Sequence, residues 1–125
     1  MAIRKFTVTA VTDGTEAATA YSPYLSGYIE SIQYVKTDYA NGVDVAITAE
    51  ATGEGIWSET DVNAAVIKHP RAATHTTAGV AALYAGSGTA VNDRIALGRD
   101  RVKIVIAQGG DTKTGAFVIT VDDGN

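Results

Sequence analysis

DRVKIVIAQGGDTKTGAFVITVD, Asp100 to Asp122, is the most strongly patterned stretch of this chain. Val102, Ile104 and Ile106 share one face at period two, and Phe117, Ile119 and Val121 repeat the pattern. That period marks a strand with one side buried. Between the two runs, Gln108 to Gly115 carries three glycines, an Asp, two Thr and a Lys, which is loop composition. The stretch therefore reads as a hairpin with one apolar face. A hairpin alone is not stable in water. The rest of the chain must supply the opposite wall of a core.

The flanking sequence continues in the same style. Ala90 to Leu97 reads as a strand, and Gly98-Arg99-Asp100 turns it into the hairpin. Before it, Val80 to Tyr84 is a short apolar run stopped by Gly86-Ser87-Gly88. After it, the polar tail Asp122-Asp123-Gly124-Asn125 is expected to fray. At the other end, Lys5 to Thr12 sets Phe6, Val8 and Ala10 against Thr7 and Thr9. Asp13-Gly14 is a turn dipeptide. Ala17 to Ser22 is a short strand that ends at Pro23, which cannot donate to a ladder.

Gly27 to Thr37 switches faces: Ile29 and Val35 have one parity, Ile32 and Tyr34 the other. A bulge near Ser31 reconciles them, or the strand is buried on both sides. Asn41-Gly42 is a hairpin signal whose flanks are wide, so that Asp38-Tyr39-Ala40 joins the loop. Val43, Val45, Ile47 and Ala49 point inward and Asp44, Thr48 and Glu50 outward; Gly53 and Gly55 break the run and Ile56-Trp57 resumes it. From Ser58 to Gly79 two readings compete. Val62, Ala65, Val66 and His69 have helical spacing behind a Ser58-x-x-Asp61 capping pattern. Val62, Ala64 and Val66 also fit a strand, and the surrounding β pattern favours strand or loop. Pro70 ends this segment, and Arg71 to Thr77 reads as a surface loop. The sum is about eight to ten short strands with frequent turns. The expected fold is all-β: one antiparallel β-sandwich or jelly-roll-like domain over residues 1–125.

Composition narrows the function. The 125 residues contain no cysteine, which removes disulfides, thiolate metal sites and thiol nucleophiles and fits a reducing compartment. The net charge of −4 disfavours nucleic-acid binding, which needs a surplus of Lys and Arg. The start, Met1 to Phe6, lacks the apolar core expected of a signal peptide, and no run approaches the length of a membrane span. Only 19% of residues are charged. Either the solvent face is rich in small residues and Thr, or a partner covers part of it.

No catalytic, cofactor-binding or metal-binding set emerges. His69 and His75 stand six apart in the Pro-Arg region and lack a third ligand, so they read as loop histidines. Gly86-Ser87-Gly88 and Gly109-Gly110 lack the context of a phosphate cradle. No Ser–His–Asp set can be ranked. The acids between Asp38 and Asp61 match no calcium loop.

Two features point to partners. Asp38, Asp44, Glu50, Glu54, Glu59 and Asp61 form an acidic block without Lys or Arg, whereas Arg94, Arg99, Arg101 and Lys103 form a basic one. Such blocks suit contact between copies or pair within the chain. In addition, six aromatics are Tyr, and Trp57, Tyr84 and the Tyr21/Tyr24 pair are candidates for interface or core rim.

GYIESIQYVK from Gly27, the Asn41-Gly42 turn, the Val43 to Glu50 strand, Ile56-Trp57, the His69-Pro70-Arg71 loop and the stretch from Asp100 to Phe117 are together similar to small β-rich proteins from the head-gene region of tailed bacteriophages. In its lineup from about Gly27 onward the chain resembles the capsid decoration, or cement, proteins of such phages. The resemblance implies a virion protein made in the host cytoplasm, which binds the major capsid protein on the outer shell without catalysis or cofactor. It implies a homo-oligomer, by analogy a trimer. Trp57, His69, Pro70, Arg71 and Tyr84 are the candidate partner contacts. The alternatives are another head or tail component, or a carbohydrate- or receptor-binding β module using Trp57 with Asp61 and Asn63. A hydrolase needs a pocket that joins His69 or His75 to a Ser and a carboxylate.

Overall fold

The computed structural model describes residues 2–123. The strands are β1 (Ile3–Val11), β2 (Ala18–Tyr21), β3 (Leu25–Lys36), β4 (Val43–Ala49), β5 (Gly55–Val62), β6 (Val66–Lys68), β7 (Arg71–Ala73), β8 (Asn92–Asp100), β9 (Val102–Ala107) and β10 (Thr114–Asp122). They form two antiparallel sheets, and no helix occurs among the described residues. One sheet runs β1-β10-β3-β8-β7, with β6 also paired to β3; the other runs β2-β9-β4-β5.

The pairing has a simple logic. β1 pairs β10, β2 pairs β9, β3 pairs β8 and β4 pairs β5. A single long hairpin, closed by the β4–β5 turn, produces these four pairings. Rolling that hairpin up adds β10 beside β3 and β9 beside β4. The result is the double-sheet jelly roll, with β6 and β7 inserted along one edge. The fold class expected from the sequence is therefore the one observed.

The roll also corrects several local readings. β9 and β10 lie in different sheets, so Asp100 to Asp122 is not a hairpin but a crossing from one wall of the core to the other. Its inward residues are as expected: Val102, Ile104, Ile106, Phe117 and Ile119 are fully buried. Asn41-Gly42 likewise links β3 to β4 across the sheets and closes no hairpin. Part of the expected loop from Arg71 is strand β7, paired to β8 as Arg71↔Arg94 and Ala73↔Asn92. The tail does not fray up to Asp123: Asp122 belongs to β10, and the Asp123 N–H donates to the Ala2 carbonyl at 3.0 Å. Gly124 and Asn125 lie outside the described residues.

The parity switch in β3 is a bulge. The register with β10 shifts between Thr120↔Ser31 and Val121↔Ile29, which leaves Glu30 as the extra residue. Ile29, Ile32 and Tyr34 thereby all point inward, and Val35 stays on the outer face.

Tyr34 stacks on Phe117 at 5.3 Å and lies 6.2 Å from Tyr39. The Tyr39 hydroxyl donates to the Ala10 carbonyl at 2.6 Å, and burial pushes its pKa up to about 12. The Tyr34 hydroxyl is buried with no hydrogen-bond partner among the described residues. Burial without a partner costs a hydroxyl on the order of 1–3 kcal/mol. Tyr34→Phe is therefore expected to match or exceed the parent in stability, by about 1 kcal/mol. Tyr39→Phe is expected to lose about 1 kcal/mol. Urea midpoints of the two variants check both, and a destabilised Tyr34→Phe contradicts the expectation.

Candidate docking surface

Four of the five candidate contacts lie on β5 or on the β6–β7 segment, which the Glu59–Lys68 ion pair joins. Trp57, on β5, is only 8% exposed, and its Nε1 donates to Glu59 Oε1 at 3.0 Å. Glu59 also pairs with Lys68 of β6 at 3.1 Å, tying the two sheets together. Both Ile56 and Trp57 are buried because β5 is irregular: its register against β4 shifts between Ile47 and Thr48. The indole thus packs inside and offers no exposed stacking platform. Nor is Asn63 free to complete such a site, since its Oδ1 accepts the Gly42 N–H at 2.6 Å.

His69 and Pro70 link β6 to β7; His69 is exposed and Pro70 is buried. Arg71 donates to the Pro70 carbonyl at 2.7 Å and lies 3.8 Å from the Glu30 carboxylate. Its charge is held by the chain itself. Among the described residues, no cluster of three or more His, Cys, Asp or Glu is placed to hold a metal ion.

The fifth candidate, Tyr84, behaves differently. It sits in the long connection from β7 to β8, residues 74–91, which forms a flap. The flap doubles back twice. Thr74 N–H donates to Val91 O at 2.8 Å, Ala82 N–H to Thr74 O at 3.0 Å and Val91 N–H to Ala82 O at 2.9 Å. Isolated bridges join His75 to Ala81 and Leu83 to Ala90. Its tips are closed by Gly79 N–H to Thr76 O and Gly88 N–H to Ala85 O. The flap is thus fastened by its own backbone, yet it buries little. Val80 is 63%, Leu83 39% and Tyr84 74% exposed. From Ala72 to Asn92 there is no Asp, Glu, Lys or Arg. An exposed segment with apolar side chains and no charge is the composition of an interface centre. The apolar run Val80 to Tyr84 signals its position in the sequence, whereas its exposure is seen only in the fold.

The charge blocks pair within the chain only in part, and one ion pair, Arg101 with Glu50, joins them among the described residues. Arg101 donates to both Glu50 carboxylate oxygens at 2.8 Å and lies 4.0 Å above the Tyr21 ring and 5.3 Å from the Tyr24 ring. Arg94 lies 4.4 Å above Tyr28 and bonds Glu30 and Asp122. Arg99 and Lys103 carry no ion pair among the described residues. Beside Tyr24, a cleft of about 280 Å³ is lined by Phe6, Leu25 and Val121, with Arg4 and Asp123 paired at its rim.

Hydrogen bonds from Arg101 hold the Glu50 carboxyl below its ordinary value. A carboxyl held low in the folded chain stabilises above its unfolded pKa, and that contribution disappears as pH falls through the folded value. Glu50→Gln is therefore expected to unfold at lower urea than the parent near neutral pH. The difference is expected to shrink as pH falls through the folded value of Glu50. A gap that widens on acidification contradicts the pairing.

The chain matches no protein family and no curated protein.

Proposed function

We propose that this chain is a non-enzymatic structural protein of a tailed-phage particle, a decoration or cement protein bound to the outside of the capsid. The observation that carries this reading is the flap. It is a preformed, charge-free protrusion with Val80, Leu83 and Tyr84 in solvent, on a sandwich whose own core is already filled. Covering it removes apolar surface from water at little ordering cost, because its backbone is tied before contact. The jelly roll is a fold shared by capsid and lectin domains, so it accommodates this reading without requiring it.

In this role the partner is the major capsid protein, and the location is the capsid surface of a particle assembled in the host cytoplasm. The protein works by burying surface across the joints between capsid subunits. Expansion or internal DNA pressure must then break those contacts first.

The test is co-sedimentation of the purified protein with expanded heads that lack it. Saturable binding at a fixed ratio to the major capsid protein, with heads that survive higher temperature, is the expected result. Absence of binding at saturating protein overturns the reading.

A further inference from the structure

The strand edges of the two sheets are not alike. β2 has four residues, and β6 and β7 have three each. β5 is longer but its pairing with β4 shifts register twice. Short and irregular edges resist pairing with other chains. β1 is different: nine residues, no proline, and an unbroken register against β10 from Ile3↔Asp122 to Val11↔Thr114. It is the outermost strand of its sheet.

The hydrogen-bond parity of β1 shows which groups face outward. Thr12 N–H donates to Lys113 O, and Asp123 N–H donates to Ala2 O. Both pairs belong to the β1–β10 register, so even-numbered residues of β1 bond β10. In an antiparallel ladder, the alternate residues turn their N–H and C=O the other way. Ile3, Lys5, Thr7, Thr9 and Val11 therefore present their backbone groups at the open edge.

These five residues are symmetric about Thr7. We propose that two copies of this chain pair through β1, antiparallel about a twofold axis at Thr7, to join their sheets into one. In that register Ile3 opposes the partner copy's Val11, Lys5 opposes Thr9, and Thr7 opposes its own equivalent. All five open residues are satisfied in both copies, giving about ten hydrogen bonds. Ile3 and Val11, the exposed large apolar residues of β1 at 53% and 55%, cover one another. On the inner face, half-buried Phe6 meets Val8, and Arg4 meets Ala10. No two charges of one sign oppose each other. A twofold contact uses the same patch on both partners and closes on itself, so the product is a dimer rather than the trimer that the resemblance implies. This pairing stands whether or not the chain binds a capsid.

Sedimentation velocity of the purified chain tests it, with twice the 12.9 kDa chain mass as the expected species. Thr7→Pro removes an N–H that points away from β10, at an edge position that accepts proline. It is expected to keep the parent circular-dichroism spectrum and sediment as a monomer. Thr7→Cys is expected to yield a disulfide-linked dimer in air, since paired Cα atoms stand about 5.5 Å apart. Thr9→Cys, opposite Lys5, is expected to cross-link at least tenfold less. A parent that stays monomeric or forms trimers overturns the proposal, as does a folded Thr7→Pro that still dimerises. Equal cross-linking at the two cysteines overturns the register, and it settles the matter even if Thr7→Pro does not fold.

Discussion

Gly27→Ala is expected to leave little folded protein. Gly27 lies in β3 at a φ of +129°, a region that side chains rarely adopt. A Cβ there meets the Asp122 carbonyl oxygen at 2.3 Å and the Asp123 Cα at 2.8 Å. Those atoms are backbone at the end of β10, which is clamped between β1 and β3. No rotamer change relieves the clash; the sheet itself has to part. Strain and overpacking together are expected to cost about 4 kcal/mol, at the top of the range for single substitutions. Against a total stability of roughly 5–15 kcal/mol, that is a large fraction. A urea titration followed by circular dichroism reads the effect. A midpoint equal to the parent's shows that β3 and β10 do not touch at Gly27 as described.

Val80→Asp combined with Tyr84→Asp is expected to do the opposite: spare the fold and remove the contact. Both side chains stand in solvent, 63% and 74% exposed, so thermal unfolding should shift by no more than about 2 °C. Binding to heads is expected to fall at least about 100-fold. An aromatic anchor buried at an interface contributes roughly 2–4 kcal/mol, and each 1.4 kcal/mol is tenfold. Two carboxylates forced into a desolvated contact add to that loss. Thr52→Asp, in the exposed turn between β4 and β5, is the matching control and should bind like the parent. Equal binding by the flap variant and the control removes the flap from the contact.

What the sequence conveys here is orientation more than connection. Alternation in Val43 to Ala49, in Val102 to Ile106 and in Phe117 to Val121 states which side chains are buried, and all of these are. It does not state which sheet receives the strand. β9 and β10 look like a hairpin because both have an apolar face and a loop between them, yet a crossing needs the same two features. Asn41-Gly42 misleads in the same way. The bulge in β3 was legible because a parity switch has few physical causes. Among the candidate contacts, Tyr84 is exposed in the flap, whereas Trp57 and Pro70 are packed inside. An aromatic or a proline looks alike in a sequence whether it finishes a core or leaves one. Burial is decided by the opposite wall, which comes from residues far away in the chain.

The place of β10 sets the order of events during synthesis. It is made long after β1 and β3, yet it belongs between them. Until it emerges from the ribosome, β1 has no strand to pair with and β3 has only β8 and β6, so the nascent chain holds two long open edges over an unfinished core. Folding therefore waits for β10 and is expected to be slow, on the millisecond-to-second scale of sheets built from distant pairings. Incomplete chains that stop before Thr114 are then the species most exposed to aggregation in a cell making this protein in bulk.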